Sequence, residues 1–187
     1  MNDTLKVITE RYSCRDFRDE MPSDEILQAI ADAGIKAPSS MNRQPWRVIV
    51  VKDSELIKDI EEETFARISE MEDKTLYNRI VERGGKVFYT APCMVVIPVF
   101  PDERCLSLID CGIVCQNITL AATSLGVNSV ICGLARLAFL DDCKAEEFSK
   151  RLRFPEGYVF GISVLLGYAN TSKAPHEPDK DKIIFIE

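Results

Sequence analysis

No stretch constrains this chain more than the fifteen residues from Ala37 to Val51, APSSMNRQPWRVIVV. Prolines at 38 and 45 fix the backbone on both sides of a run of hydrogen-bonding side chains, Ser39, Ser40, Asn42 and Gln44. The run then passes Trp46 and enters an apolar strand, Val48 to Val51. Two readings follow from the residues. One is a turn into a core strand, with Trp46 as a buried anchor. The other is a stiffened loop that holds a flat, polar ligand.

The flanking chain supplies alternating helices and strands. Leu5, Val7, Ile8 and Tyr12 predict a first helix ending near Glu10. Ser23 stands where an N-cap belongs, with Asp24 and Glu25 in the first turn and Ile26, Leu27, Ile30 and Ala33 as the apolar face up to Gly34. Ser54 is expected to cap the next helix, whose apolar face is Leu56, Ile57, Ile60 and Ile68. Charge dominates from Glu61 to Arg83, which predicts a helix broken near Asp73 and a solvent-facing excursion or lid. Gly84-Gly85 ends it, and Ala91-Pro92 introduces a strand from Cys93 to Phe100.

Leu106 to Leu125 reads as a long apolar helix closed by Gly126. Its small residues, among them Gly112, Ala121 and Ala122, suit a central or dimer-interface helix. A short strand, Val130 to Leu134, an amphipathic helix, Asp141 to Leu152, and a strand from Tyr158 to Leu166 follow. The last is apolar nearly throughout, which predicts burial on both faces. A polar arm, Asn170 to Lys182, then leads to Ile183-Ile184-Phe185-Ile186. Such a tetrapeptide must pair with something, and the arm is long enough to add a strand to a partner's sheet. The expectation is one α+β domain over 1–187, with a central mixed β-sheet flanked by helices.

A formal net charge of −7 argues against a nucleic-acid partner, which needs a basic face, yet leaves room for a local basic cluster on one small anion. The longest wholly apolar run, near Cys93 to Phe100, falls short of the roughly 20 residues that span a bilayer, so no membrane partner is expected. The polar start, MNDTLKVITERYS, has no signal-peptide apolar region, which predicts a cytoplasmic protein. Seven cysteines, an odd number, then read as free thiols. Cys111 and Cys115 share a helix face, but there is no CxxC, so no metal is expected and a thiol-redox or metal role for that pair is a minor alternative. No GxGxxG, Walker loop, GxSxG or HExxH occurs, and the one histidine, His176, lies far out in the arm. Enzymatic chemistry here would belong to a bound cofactor.

Arg11, Ser13 and Arg15 alternate, so an extended segment turns two guanidiniums and a hydroxyl to one side and Tyr12 and Cys14 to the other. That face suits a phosphate and a heteroaromatic carbonyl, and it equally suits a solvated charged loop. Taken with Phe17, with Ala37-Pro38-Ser39-Ser40-x-Asn42-x-Gln44-Pro45-Trp46, with Asp110, Gln116-Asn117 and Leu125-Gly126 in the long helix, and with Gly167-Tyr168, the chain resembles the FMN-dependent nitroreductase family over essentially its whole length.

The resemblance implies a nitroreductase-like fold working as an intertwined homodimer, with FMN at the subunit interface and C-terminal arms exchanged. It implies that Arg11 pairs with the FMN phosphate, that Ser13 bonds the phosphate–ribityl region beside Tyr12, and that Arg15 faces the pyrimidine edge. Pro38, Ser39, Ser40 and Asn42, with Gln44 beside them, would come from the other subunit and line the flavin, and the backbone at Ile131, Cys132 and Gly133 would lie near its N5. Lys173, His176 or Lys180 would complete the phosphate site. NADH or NADPH would reduce the flavin, and a small electron-poor acceptor such as a nitroaromatic or quinone would reoxidise it by ping-pong, with no acid–base side chain required. Dehalogenation, flavin fragmentation, dehydrogenation and a non-catalytic flavin-binding role are the alternatives on the same fold.

Overall fold

Strands β1 (Ile49–Val51), β2 (Cys93–Val99), β3 (Asn128–Cys132) and β4 (Val159–Gly167) pair in the order β1, β2, β4, β3 in a computed structural model that describes residues 2–140, 143–175 and 177–186. All three ladders are antiparallel. The expected mixed sheet is corrected accordingly, since interleaved helices do not dictate the sense in which the next strand returns. A parallel pairing is found only as a bridge between Ser13 and Ser129 at the β3 edge, among the described residues.

Burial on both faces explains the apolar strands. In β2, Cys93, Val95, Ile97 and Val99 pack on one side and Met94 and Val96 on the other, and all seven residues are buried. In β4, Val164 and Leu166 join the first layer and Leu165 the second. The first layer is covered by α2 (Asp24–Ile35) and α5 (Leu106–Ser124), with α1 (Asp3–Glu10) against α5. The second is covered by α3 (Ser54–Glu70), α4 (Thr75–Val81), the 3₁₀ turn Leu134–Phe139 and α6 (Cys143–Arg151). Truncating a fully buried member such as Ile97 to alanine costs roughly 2–5 kcal/mol.

Pro98 lacks an N–H, and the ladder adjusts around it. Ile97 pairs with Ile162 and Pro98 with Phe160, which leaves Gly161 as the extra residue of a bulge. A Cβ at Gly161 would stand 2.6 Å from the carbonyl oxygen of Ile97, so only glycine fits. On its other side Pro98 accepts from the Arg47 N–H at 3.0 Å, and Trp46 bridges to Val99. The loop that precedes β1 is thereby fastened to the sheet.

The expected helix starts hold, with one correction. Ser23 Oγ accepts from the Ile26 N–H at 3.4 Å. Before α3 the cap is Asp53, not Ser54, because the Asp53 carboxylate reaches the N–H groups of both Glu55 (3.0 Å) and Leu56 (3.1 Å). Strand β3 begins two residues earlier than expected, and Leu134 already belongs to the 3₁₀ turn. Of the helix expected from Asp141, residues 141 and 142 lie outside the described residues.

One further expectation is revised. The charged region 61–90 does not stand away from the sheet: Ile68, Ile80, Val87 and Phe88 are buried in the second core layer. Its charges lie on the outer surface, and Glu61 turns inward to accept the Phe88 N–H at 2.6 Å. The terminal Ile183–Ile186 forms no strand within the chain, and these four side chains are 65, 81, 88 and 95% exposed in order. Helix α5 is long and apolar enough to cross a membrane by length and composition, but Cys111, Val114, Cys115, Ile118 and Ala122 bury one side of it in the core.

Candidate functional site

At the end of α1 the chain straightens along the β3 edge. Cys14 donates its N–H to the Ser129 carbonyl at 3.0 Å, and Ser13 bridges to Ser129. This extended geometry buries Cys14 and leaves Arg11, Ser13 and Arg15 around a cavity of about 260 Å³. Lys173, Ala174 and Pro175 close its far side. Tyr12, expected to point away with Cys14, also lines this cavity. The reason is a polar clamp: the Tyr12 hydroxyl accepts from Asn128 Nδ2 at 3.2 Å and donates to the Thr171 carbonyl at 3.4 Å. Asn170 adds bonds from Nδ2 to Asp16 Oδ1 (2.8 Å) and to the Phe17 carbonyl (2.9 Å). The arm is thus stapled beside residues 12–17, and Lys173 is delivered next to Arg11.

No ion pair among the described residues engages Arg11, Arg15 or Lys173. Three cations without a carboxylate partner, in a chain of net charge −7, concentrate positive potential on one cavity. Burial pushes the Tyr12 phenol up, so it stays a neutral donor there.

The loop 38–44 is built differently. Met41, Asn42 and Gln44 all have positive φ (54°, 54° and 48°), a conformation that costs a residue with a side chain about 1–2 kcal/mol. A closed set of hydrogen bonds holds it. Ser39 Oγ accepts from the Gln44 N–H at 2.9 Å, the Ser39 carbonyl from the Asn42 N–H at 3.0 Å, and Asn42 Oδ1 from Gln44 Nε2 at 3.0 Å. The Ser40 N–H points into the Asp110 carboxylate of α5, 3.2 and 3.3 Å from its two oxygens. Pro38, Met41, Asn42 and Gln44 are exposed, while Trp46 is buried as the anchor reading expected. Ser40, Met41 and Arg43 border a second cavity of about 320 Å³ with Asp102, Glu103, Arg104 and Leu106. Bonds from Ser107 above all, and from Leu106 and Arg104, hold the Asp102 carboxyl down at about 2.

At the end of β3, Ile131 is exposed, Cys132 is buried, and the exposed Gly133 opens the 3₁₀ turn. Ser163 Oγ donates to the Cys132 carbonyl at 2.8 Å, which fixes that peptide. Burial pushes the thiols of Cys14 and Cys132 up, and that of Cys93 up to about 12, which keeps them protonated and poorly nucleophilic. Cys111 and Cys115 are buried in the α5 core layer, where Cys111 pushes the Cys115 thiol up further.

The structure therefore unites Arg11, Tyr12, Ser13, Arg15 and Lys173 and keeps Pro38, Ser39, Ser40, Asn42 and Gln44 together elsewhere. Among the described residues, the cation cavity and the cavity beside the loop have no lining residue in common. Lys180 sits in the exposed turn Lys180–Lys182 and does not line the cation cavity, and His176 lies outside the described residues. The clamp residues Asn128, Asn170 and Thr171 carry no recognisable pattern, since each acts through contacts distant in sequence.

The sequence pattern of the nitroreductase family matches residues 8–168. A protein of Archaeoglobus fulgidus, provisionally named NADH dehydrogenase/NAD(P)H nitroreductase, is 30% identical over 184 residues, covering 96% of this chain and 92% of its own. A crystal structure of a nitroreductase with bound FMN from Desulfitobacterium hafniense is 64% identical, superposes with a TM-score of 0.97 and matches 100% of both chains. Another with bound FMN, from Bacteroides fragilis, has 26% identity and a TM-score of 0.88, again over 100% of both chains. With its motif residues gathered on the same sheet-and-helix frame, this chain belongs to the nitroreductase family.

Proposed function

We propose that this protein is an FMN-dependent NAD(P)H oxidoreductase acting as a homodimer, with a nitroaromatic, quinone or similarly electron-poor small molecule as acceptor. The observation that carries this reading is the cavity ringed by Arg11, Arg15 and Lys173, three cations with no acid partner among the described residues. Its volume and charge suit a phosphate rather than a whole flavin, and none of its described lining residues comes from the loop that would cover the ring. A second copy would lend residues 38–44, as the resemblance to the family implies.

Three features support that second copy. Leu108 and Ile109 on α5 are 50% and 62% exposed. Gly112 lies one turn further on, where a glycine costs a helix about 1 kcal/mol relative to alanine, and an added Cβ there would meet nothing within 4 Å in the single chain. A second helix backbone in close approach would give this glycine its reason. The bare Ile183–Ile186 would find its strand partners on the other subunit.

Bound FMN would supply hydride acceptance at N5 and the return of electrons to the acceptor, in two half-reactions at one face. Arg11 and Lys173 would hold the phosphate and Ser13 the adjoining oxygens. Arg15 would set a positive charge against the pyrimidine edge, where negative charge accumulates on reduction. Ile131, Cys132 and Gly133 would present backbone at the N5 edge, oriented by the Ser163 bond. Pro38, Ser39, Ser40, Asn42 and Gln44 of the second copy would cover the ring and exclude water. The free thiols suit a reducing cytoplasm, where NAD(P)H is supplied.

Anaerobic titration tests this directly. Purified protein loaded with FMN should show a flavin absorption band that bleaches with NADH or NADPH and returns on adding a quinone. Flavin that binds but is reduced by neither donor would overturn the oxidoreductase reading.

A further inference from the structure

We infer that Asp110 is a positioning residue that latches the flavin-facing loop Ser39–Gln44 to the helix through which two subunits meet. This rests on the reading that the loop covers a flavin. Asp110 is a carboxylate only 6% exposed, one of few charged groups in the core, and its described partner is one backbone N–H, that of Ser40. Burying a carboxylate is costly unless its bonds do something that an apolar residue cannot. Here they fix the Ser39–Ser40 peptide from one end, while the Asn42 N–H holds the Ser39 carbonyl at the other.

With that peptide plane set, Ser39 Oγ is aimed at the Gln44 N–H and the chain is forced through the left-handed residues between them. Non-glycine residues persist in that conformation only where surrounding bonds over-determine them. Removing Asp110 leaves Ser39, Asn42 and Gln44 bonded only to one another in this network. The loop then relaxes toward ordinary φ values, and its exposed Asn42 and Gln44 move. Its neighbours on α5, Leu108, Ile109 and Gly112, form the exposed face proposed for the second copy. One helix would thus place the loop and make the dimer, so that the loop lent to the other subunit's flavin arrives in a set position.

Asp110→Ala and Asp110→Asn separate this role from general support of the core, because the asparagine carbonyl keeps an acceptor for Ser40. Hydrogen exchange at the amides of Ser40, Asn42 and Gln44 is measured on apo protein, and FMN affinity and the visible dichroism of bound flavin on the loaded form. Asp110→Ala should accelerate exchange in the loop but not in β2, weaken FMN binding roughly ten- to hundredfold, as loss of a charged hydrogen bond does, and alter the dichroism at saturating FMN. Asp110→Asn should restore all three to within about threefold of the parent, and it also serves if Asp110→Ala fails to fold. Unchanged loop exchange in Asp110→Ala would overturn the latch. So would faster exchange with unaltered affinity and dichroism, or the same defects in Asp110→Asn as in Asp110→Ala. A parent protein that takes up no FMN would overturn the flavin reading instead, and the exchange comparison on apo protein would still decide whether Asp110 holds the loop.

Discussion

The cation cavity and the Ser39–Gln44 loop are the two halves of one proposed site, and they are made by opposite means. Around Arg11, Ser13 and Arg15 the backbone is extended and relaxed, bridged to Ser129, and the work falls to uncompensated charge. In the loop the charge is local and minor, and the work falls to a backbone held in left-handed conformations by side-chain bonds and by Asp110. A phosphate is recognised by charge, which tolerates small displacements. A planar ring is recognised by shape and by directed hydrogen bonds, which do not. The strained half is where precise placement is required, and the relaxed half is where electrostatics suffice.

The sharpest test of the contrast removes charge from the relaxed half. Arg11→Ala should raise the FMN Kd roughly ten- to hundredfold, the worth of a charged hydrogen bond, and Lys173→Ala should add to it. Fluorescence titration at two salt concentrations checks this, and the parent should be the more salt-sensitive protein. Equal salt dependence in parent and variants would deny the cavity its electrostatic role.

Separating the halves comes next in size. Gly112→Leu crowds the α5 face, at a cost of roughly 1–3 kcal/mol per overpacked helix, and should push sedimentation toward monomer. Riboflavin, which lacks the phosphate, should then lose measurable binding, while FMN keeps the part supplied by the cation cavity. A variant that stays dimeric would remove Gly112 from the interface.

A smaller effect probes strain. Met41→Gly puts glycine at φ 54° on an 83%-exposed residue, so little packing is lost. Relief of about 1–2 kcal/mol is offset by about 0.5–1 kcal/mol of glycine's entropy, leaving a gain of up to about 1.5 kcal/mol in urea unfolding. FMN affinity should fall at the same time, because the loop is less preorganised. Destabilisation by Met41→Gly would mean that the left-handed residue carries no strain.

The smallest effect is a pH dependence near the loop. The Asp102 carboxyl is lowered from 3.8 to about 2, chiefly by the Ser107 N–H at the start of α5. A lowered carboxyl stabilises the fold above its unfolded value and loses that contribution as pH falls from about 4 to about 2. Parent protein should therefore show a steeper decline of melting temperature through that window than Asp102→Asn. Parallel curves would show that the cap does not couple to folding.

Much of this architecture was legible because it depends on local pattern. Arg11, Ser13 and Arg15 share a cavity because period-two alternation is a property of any extended segment. Trp46 is buried where the chain enters the apolar strand beside Val99, and Ser23 caps α2 because its hydroxyl lies three residues from a free N–H. The charged 61–90 region misled, since charge density hides a buried face whose apolar residues, Ile68, Ile80, Val87 and Phe88, are widely spaced.

What the amino-acid order determined alone was the set of chemical parts: cations spaced to face one way, a stiffened polar loop, strands apolar on both faces, and an apolar tail beyond a polar arm. Tertiary structure decided how they meet. It chose Lys173 over Lys180 as a cavity residue, because Tyr12, Asn128 and Asn170 staple the arm beside residues 12–17. It made the ladders antiparallel, and it brought Asp110 to the N–H of Ser40. Each of those outcomes joins residues distant along the chain, and such contacts depend on how the layers pack rather than on the neighbours a residue has in sequence.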